Sequence, residues 1–424
     1  MKKKIVSYCS ALCLSAVAAF AATAPGGQPF DTTATTTDGG PPVTLQAQGS
    51  NFFDFLESLI NTQGSFSSLN NRQYTASMTF LGIPNAIRFA TNAAGNSVNI
   101  TLTPTGFNRT FTGVSKADVD DQLENFFKSE GQQTIADFLK AVAKTSPIAV
   151  TDGNPTAATA VSATSSFTSQ GFTPLDELGD NTDTASGASK PKFGGVSLGL
   201  NAGEFEAGLF SGKVYDISGT LFSFGGETVR LVMPFSFNYL ELDTGSKVGG
   251  AGTSLALPIR FMKMGKDGNG NINGLNWRVT PLFGVSVRGS VDLASLSPLW
   301  NAGVVNTIDY PISPKLVISM VNQFTMHRSI SIAYDDLDFD PNIDQQIIKN
   351  GLRLTTPFNR RWVADGFAVD TRFLKDAAVK QFWTFGGSLA FRATQRWNLV
   401  LGLNYDTGDD FKAFSGGLSS AWKW

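Results

Sequence analysis

The sequence predicts a mainly β protein: a C-terminal transmembrane antiparallel β-barrel of about 12 strands, preceded by a small α+β domain. Three observations predict it. From residue 193 onward, runs of around ten residues alternate apolar and polar with little interruption, the length a tilted membrane-spanning strand needs. Aromatic residues fall near the ends of the apolar parity. Residues 51–150 have a different texture, with short strands and then helical periods.

The N-terminus reads Met1-Lys2-Lys3-Lys4, an apolar stretch from Ile5 to Phe20, and Ala19-Phe20-Ala21. A basic start, an apolar core and an A-x-A site predict a signal peptide over 1–21 and a mature chain from Ala22. Both cysteines, Cys9 and Cys13, lie in this leader, so the mature chain lacks thiols, which suits an oxidising compartment. The net charge of -2 gives no case for nucleic acid as a partner. No later stretch of about 18 apolar residues exists, so a membrane-spanning form must be a barrel.

Residues 22–50, rich in Thr, Gly and Pro, read as a flexible lead-in. In the 51–150 domain "NFFDFLESLI" reads as a short helix, and Tyr74–Phe80, Ala86–Ala90, Val98–Leu102 and Phe107–Phe111 read as strands. Ser115 opens a helix with Val119, Leu123, Phe126 and Phe127 on its apolar positions. Gly131 breaks it before a second helix with Ile135, Phe138, Leu139 and Val142 on one face. Residues 151–192 carry small and polar residues without a period and read as a low-complexity linker.

In the barrel region, 193–424, Leu231, Met233, Phe235, Phe237 and Tyr239 share one side, opposite Arg230, Pro234, Ser236 and Asn238. Trp277, Val279, Phe283, Val285 and Val287 form a similar row. Alternation alone also fits a soluble sandwich. The aromatic spacing favours a barrel: Trp397 and Tyr405 share the apolar face, about 26 Å apart along the strand at roughly 3.3 Å per residue. With Tyr239, Trp277 and Trp422 they are candidates for the aromatic girdles that flank an apolar band.

The last strand places Phe414, Gly416, Leu418, Ser420, Trp422 and Trp424 on one parity and ends on an aromatic residue. It resembles the C-terminal signal of Gram-negative outer-membrane proteins, carried here by Leu418, Trp422 and Trp424. That resemblance implies outer-membrane location, contact with outer-membrane lipid, and recognition by periplasmic chaperones and the barrel-assembly machinery. Twelve C-terminal strands are also similar in count and position to the translocator unit of autotransporters. With "ATQR" as a periplasmic turn, the N-terminal domain is expected in the periplasm. A homo-oligomer is left open.

Six arginines lie on the polar parity: Arg230, Arg260, Arg278, Arg288, Arg353 and Arg392. An arginine facing lipid at mid-depth costs about 2–4 kcal/mol, so these are expected in the lumen, most of them toward the periplasmic end. There they either favour anionic solutes, as rings of charge do, or pair with acidic groups. The expected function is therefore a porin-like channel for small polar, anionic solutes. The alternative is an autotransporter-like membrane anchor that displays or exports the N-terminal domain.

No enzyme, cofactor or metal is expected. His327 and Ser329 share a face and resemble the His-x-Ser of outer-membrane lipid A deacylases, but no third group follows from the spacing. In "KDGNGNING", Asp267, Asn269, Asn271 and Asn273 alternate like half a calcium loop. Ile272 and Arg278 stand where glycine and glutamate belong, so a turn is expected. The acidic "YDDLDFDPNID" reads as a solvated outer loop.

Overall fold

The computed structural model describes residues 28–126, 131–148 and 195–423, apart from 51–68, 70, 71, 147, 227, 267–271, 291, 294, 314, 315, 335, 336, 340–343, 360, 376 and 395. The leader, the helix expected at 51–60, the linker and Trp424 lie outside the described residues, as do most of the calcium-like turn and part of the acidic loop.

The N-terminal sheet has six antiparallel strands: β1 Phe30–Thr36, β2 Thr44–Gly49, β3 Tyr74–Phe80, β4 Ile83–Thr91, β5 Ser97–Leu102 and β6 Phe107–Thr112, in the order β2-β1-β3-β4-β5-β6. The expectation of a flexible lead-in over 22–50 is corrected here, because β1 and β2 are integral strands of this sheet. The apolar content is thin, but it alternates: Phe30, Thr32, Ala34 and Thr36 all face the core. Threonine sustains the β-conformation between them through its branched Cβ. The β1–β2 loop is pinned where Asp38 takes a forked bond from Arg72, at 2.6 and 2.7 Å. The guanidinium holds the Asp38 carboxyl down at about 2.

Two helices follow, α1 Lys116–Asn125 and α2 Gln132–Thr145. Ser115 caps α1 by accepting the Asp118 N–H at 3.3 Å, as the sequence predicts. Val119, Phe126, Phe138 and Val142 are buried against Ile100, Leu102 and Phe111 of the sheet.

The barrel comprises β7 Gly195–Ala207, β8 Phe210–Gly225, β9 Arg230–Leu242, β10 Lys247–Ala256 (continued by Ile259–Met262), β11 Asn276–Ser290, β12 Ser295–Ser313, β13 Leu316–Ser329, β14 Asp344–Pro357, β15 Trp362–Phe373, β16 Gln381–Arg392, β17 Trp397–Gly408 and β18 Phe411–Lys423. Each pairs antiparallel with its sequence neighbours, and β18 pairs with β7 to close the ring. Twelve strands return the chain to the end where it entered, called here the near end, so both barrel termini lie there. The turn at 393–396 is also at the near end, and so is the long 263–275 connection, with a ribbon of Gly265–Lys266 paired to Ile272–Asn273.

The apolar parity faces outward. Leu200, Leu352, Leu354, Leu403 and Leu418 are about half exposed, as are Phe283 and Val285. Side chains this apolar are stable at a surface only against hydrocarbon. Leu200, Leu418 and Leu401 stand in one register row, with Leu401 midway between Trp397 and Tyr405. Leu200→Arg is therefore expected to lower the unfolding free energy of the lipid-reconstituted barrel by about 2–4 kcal/mol, read by urea titration.

Candidate functional site: the lumen and its far mouth

Two aromatic belts bound the apolar band. Trp277, Trp397 and Trp422 lie at the near end, where Trp277 stacks 4.9 Å from Phe261 and Trp397 sits opposite Trp422. Two of these three indoles have a polar partner: Trp277 Nε1 donates to Asn306 at 2.9 Å, and Trp397 Nε1 to Ser420 at 2.8 Å. Tyr239 and Tyr405 lie at the far end, Tyr239 with its ring 6.2 Å from Tyr215. Leu418 and Trp422 face outward on β18.

All six arginines sit on the inward parity of their strands. Arg230, Arg260, Arg278, Arg353 and Arg392 are in the near half and Arg288 is toward the far end. They are not alone. Among the described inward-facing side chains there are also Lys349 and four aspartates, Asp216, Asp309, Asp365 and Asp406. Seven cations against four carboxylates leave the lumen wall positive. Arg278 and Arg353 are buried, only 6% and 4% exposed, and lie in a polar ladder along one wall. Asn276 Nδ2 donates to Asp309 Oδ2 at 2.5 Å. Arg353 Nη1 stands 3.9 Å from Asp365 Oδ2, and Asp365 Oδ1 accepts from the Ser388 amide and hydroxyl, both at 2.9 Å. Higher up, Lys349 is buried, as is Asp406, which takes a bond from the Thr384 hydroxyl. Ala256, Leu282, Val305, Val321 and Val369 form an apolar cluster among these polar groups, with Phe367 packed against it.

His327 also faces inward, its Nε2 3.3 Å from the Thr325 hydroxyl. Among the described residues no group of His, Cys, Asp or Glu is arranged to hold a metal ion.

The far mouth is built differently. Its inward-facing residues include Phe205, Ala207, Phe210, Val214, Leu240, Leu242, Val248, Ile347, Phe373, Phe382, Phe411 and Ala413, one apolar cluster drawn from eight of the twelve strands. Phe382 and Phe411 meet edge to face at 5.3 Å. This cluster shares one continuous core with the N-terminal domain through Phe30, Leu81, Ala86, Phe138 and Ile148. The contact centres on the β3–β4 turn. Leu81 and Gly82 both have positive φ, 47° and 76°, the backbone of a two-residue hairpin turn. Gly82 lies against the Phe210 ring so closely that a Cβ there would collide with it. Leu81 holds a conformation that costs a branched residue about 1 kcal/mol or more, and its burial offsets that cost. Ser146 Oγ donates to the Leu81 carbonyl at 2.7 Å, and Ser246 of the barrel donates to the Ser50 carbonyl.

No family model matches the sequence, and no curated protein matches it. Among solved structures, the chain is similar to the translocator domain of the autotransporter NalP from Neisseria meningitidis, at 13% identity and TM-score 0.40, covering 63% of this chain and 98% of that one. It is also similar to the NanC porin, at 10% identity and TM-score 0.34, covering 54% and 100%. The transport unit of the autotransporter AIDA-I from Escherichia coli matches at 10% identity and TM-score 0.32, covering 59% and 97%. The reading of the site rests on this chain's own residues. A closed ring of twelve strands, with an apolar outer band between two aromatic belts and a polar inner wall, gives this chain the fold of a Gram-negative outer-membrane β-barrel.

Proposed function

We propose that the barrel is a membrane anchor that holds its own N-terminal domain in the far mouth. The observation that carries this reading is the shared core: the sequence spends large apolar residues on the inward side of the far end, where a water-filled lumen would call for polar ones. If the near end faces the periplasm, as the turn at 393–396 and the C-terminal strand suggest, the domain stands outside the cell. Chain order alone suggests the periplasm instead. The test is protease accessibility on intact cells. Cleavage within 72–126 without permeabilisation supports display, and protection until the outer membrane is breached overturns it.

The positive inner wall favours a second reading, a channel for small polar, anionic solutes that conducts when the mouth is unsealed. Planar-bilayer recordings of the refolded mature protein are expected to be quiet for the full chain. Without residues 25–190 they are expected to show anion-preferring conductance, and Arg278→Glu with Arg392→Glu should weaken that preference.

A further inference from the structure

We infer that the outer wall of β12 to β15 is the contact surface for a second copy of this chain, centred on Asn322 and Asn350. The inference goes beyond the anchor reading and holds whichever end of the barrel faces out of the cell. Asn306, Asn322, Asn350 and Asp370 stand in one register row on the outward parity of successive strands. Their depth follows from the ladder. The neighbouring outward row starts at Tyr405 in the far belt and passes through Phe385, Ala368, Leu352, Met320 and Ile308 to Trp277 in the near belt. Leu352 is therefore midway between the belts, and Asn350 is two residues farther along the same strand toward the far end. Asn322, one strand closer to the near belt, stands close to mid-depth.

The ends of the row are satisfied within the barrel. Asn306 accepts the Trp277 indole N–H at 2.9 Å, and Asp370 accepts from Arg372 and from Gln381, each at 2.7 Å. The two central amides have each other: Asn322 Nδ2 donates to Asn350 Oδ1 at 2.7 Å, the one side-chain hydrogen bond that either makes among the described residues. That leaves the Asn322 carbonyl oxygen and the Asn350 N–H groups toward hydrocarbon, and a lipid tail offers neither donor nor acceptor. Copies of one chain insert in one direction, so a two-fold contact in the membrane pairs each depth with itself. An amide meets that condition because it both donates and accepts, whereas a lone charge would repel its copy. A second chain thus supplies the missing hydrogen-bond partners. Met320, Phe324, Leu352 and Leu354, 36% to 54% exposed around the pair, supply the apolar contact.

The test joins sedimentation of the refolded chain in detergent, over a dilution series, to cysteine cross-linking in proteoliposomes. From Ala22 onward the chain has no cysteine of its own. Leu352→Cys lies beside the pair on β14, and Leu200→Cys lies on β7, five strands around the ring; both leucines are 54% exposed. Oxidation should join Leu352→Cys chains into dimers and leave Leu200→Cys chains single. The wild type should sediment as a dimer, and Asn322→Leu with Asn350→Leu should weaken its association at least about tenfold. Heat-modifiable migration should be unchanged and the monomer no less stable to urea, because the substitutions replace lipid-facing amides with apolar groups. A single-chain mass at every concentration overturns the inference, whether the wall is then bare or holds a lipid or a different protein. A double variant that associates like the wild type also overturns it, as does one that loses stability to urea while its association is unchanged.

Discussion

Gly82→Val is expected to unseat the N-terminal domain from the barrel. At φ 76° a branched side chain is disfavoured, and its Cβ would enter the Phe210 ring. The backbone cost and the overpacking together come to about 2–4 kcal/mol, concentrated at the one turn that enters the mouth. The barrel strands do not depend on that turn, so heat-modifiable gel migration should be unchanged. The domain should become open to proteolysis in proteoliposomes and the bilayer conductance should rise. Phe210→Ala in the Gly82→Val background should restore part of the seating by removing the obstacle. If protection and conductance match the wild type, the turn is not what holds the domain.

The second large effect is expected at the buried ladder. Asp365→Ala removes the carboxylate beside Arg353, whose side chain is only 5% exposed, and takes away the acceptor for Ser388. Breaking a buried pair typically costs about 3–5 kcal/mol, and with Asp309 still near Arg353 the lower end of that range is expected. Urea unfolding of the reconstituted barrel, followed by tryptophan fluorescence, should show a loss of that size. Arg353→Met combined with Asp365→Ala should recover most of it. A double variant no more stable than Asp365→Ala alone would mean that the aspartate acts through Ser388 and not through the arginine.

The barrel was legible in the sequence because a period of two leaves no ambiguity about facing once one parity is apolar. Trp397 to Tyr405 on β17 and the arginines of β9, β11, β14 and β16 all face the way their parity predicts. The partners of those arginines were not legible. Asp309 and Asp365 stand on strands of their own, and the register of the consecutive strands β12 to β15 brings them beside Arg353. Nor was the seat of the N-terminal domain read from the chain, although a signal for it exists. The alternation fails at the far ends of strands, where Val214, Leu240, Leu242 and Phe382 put apolar residues on the inward side. The lead-in misread at 22–50 has a different cause: composition suggested no core, while the spacing of Phe30 and Ala34 was enough to join a sheet supplied by residues 74–112.

The seam between β18 and β7 governs how such a molecule can be assembled. It joins Lys423 to Gly195 and Phe411 to Ala207, positions more than 200 residues apart in the chain, whereas the other pairings of the ring join sequence neighbours or close the ladder between them. Contacts of such separation form late, because the entropy of the intervening loop must be overcome first. Until they form, both strands present unpaired amides and carbonyls, each costing several kcal/mol in hydrocarbon. A half-finished ring therefore has no stable residence in the bilayer. Either the sheet is completed before it meets lipid, or something else lends its edges hydrogen bonds until the last strand arrives.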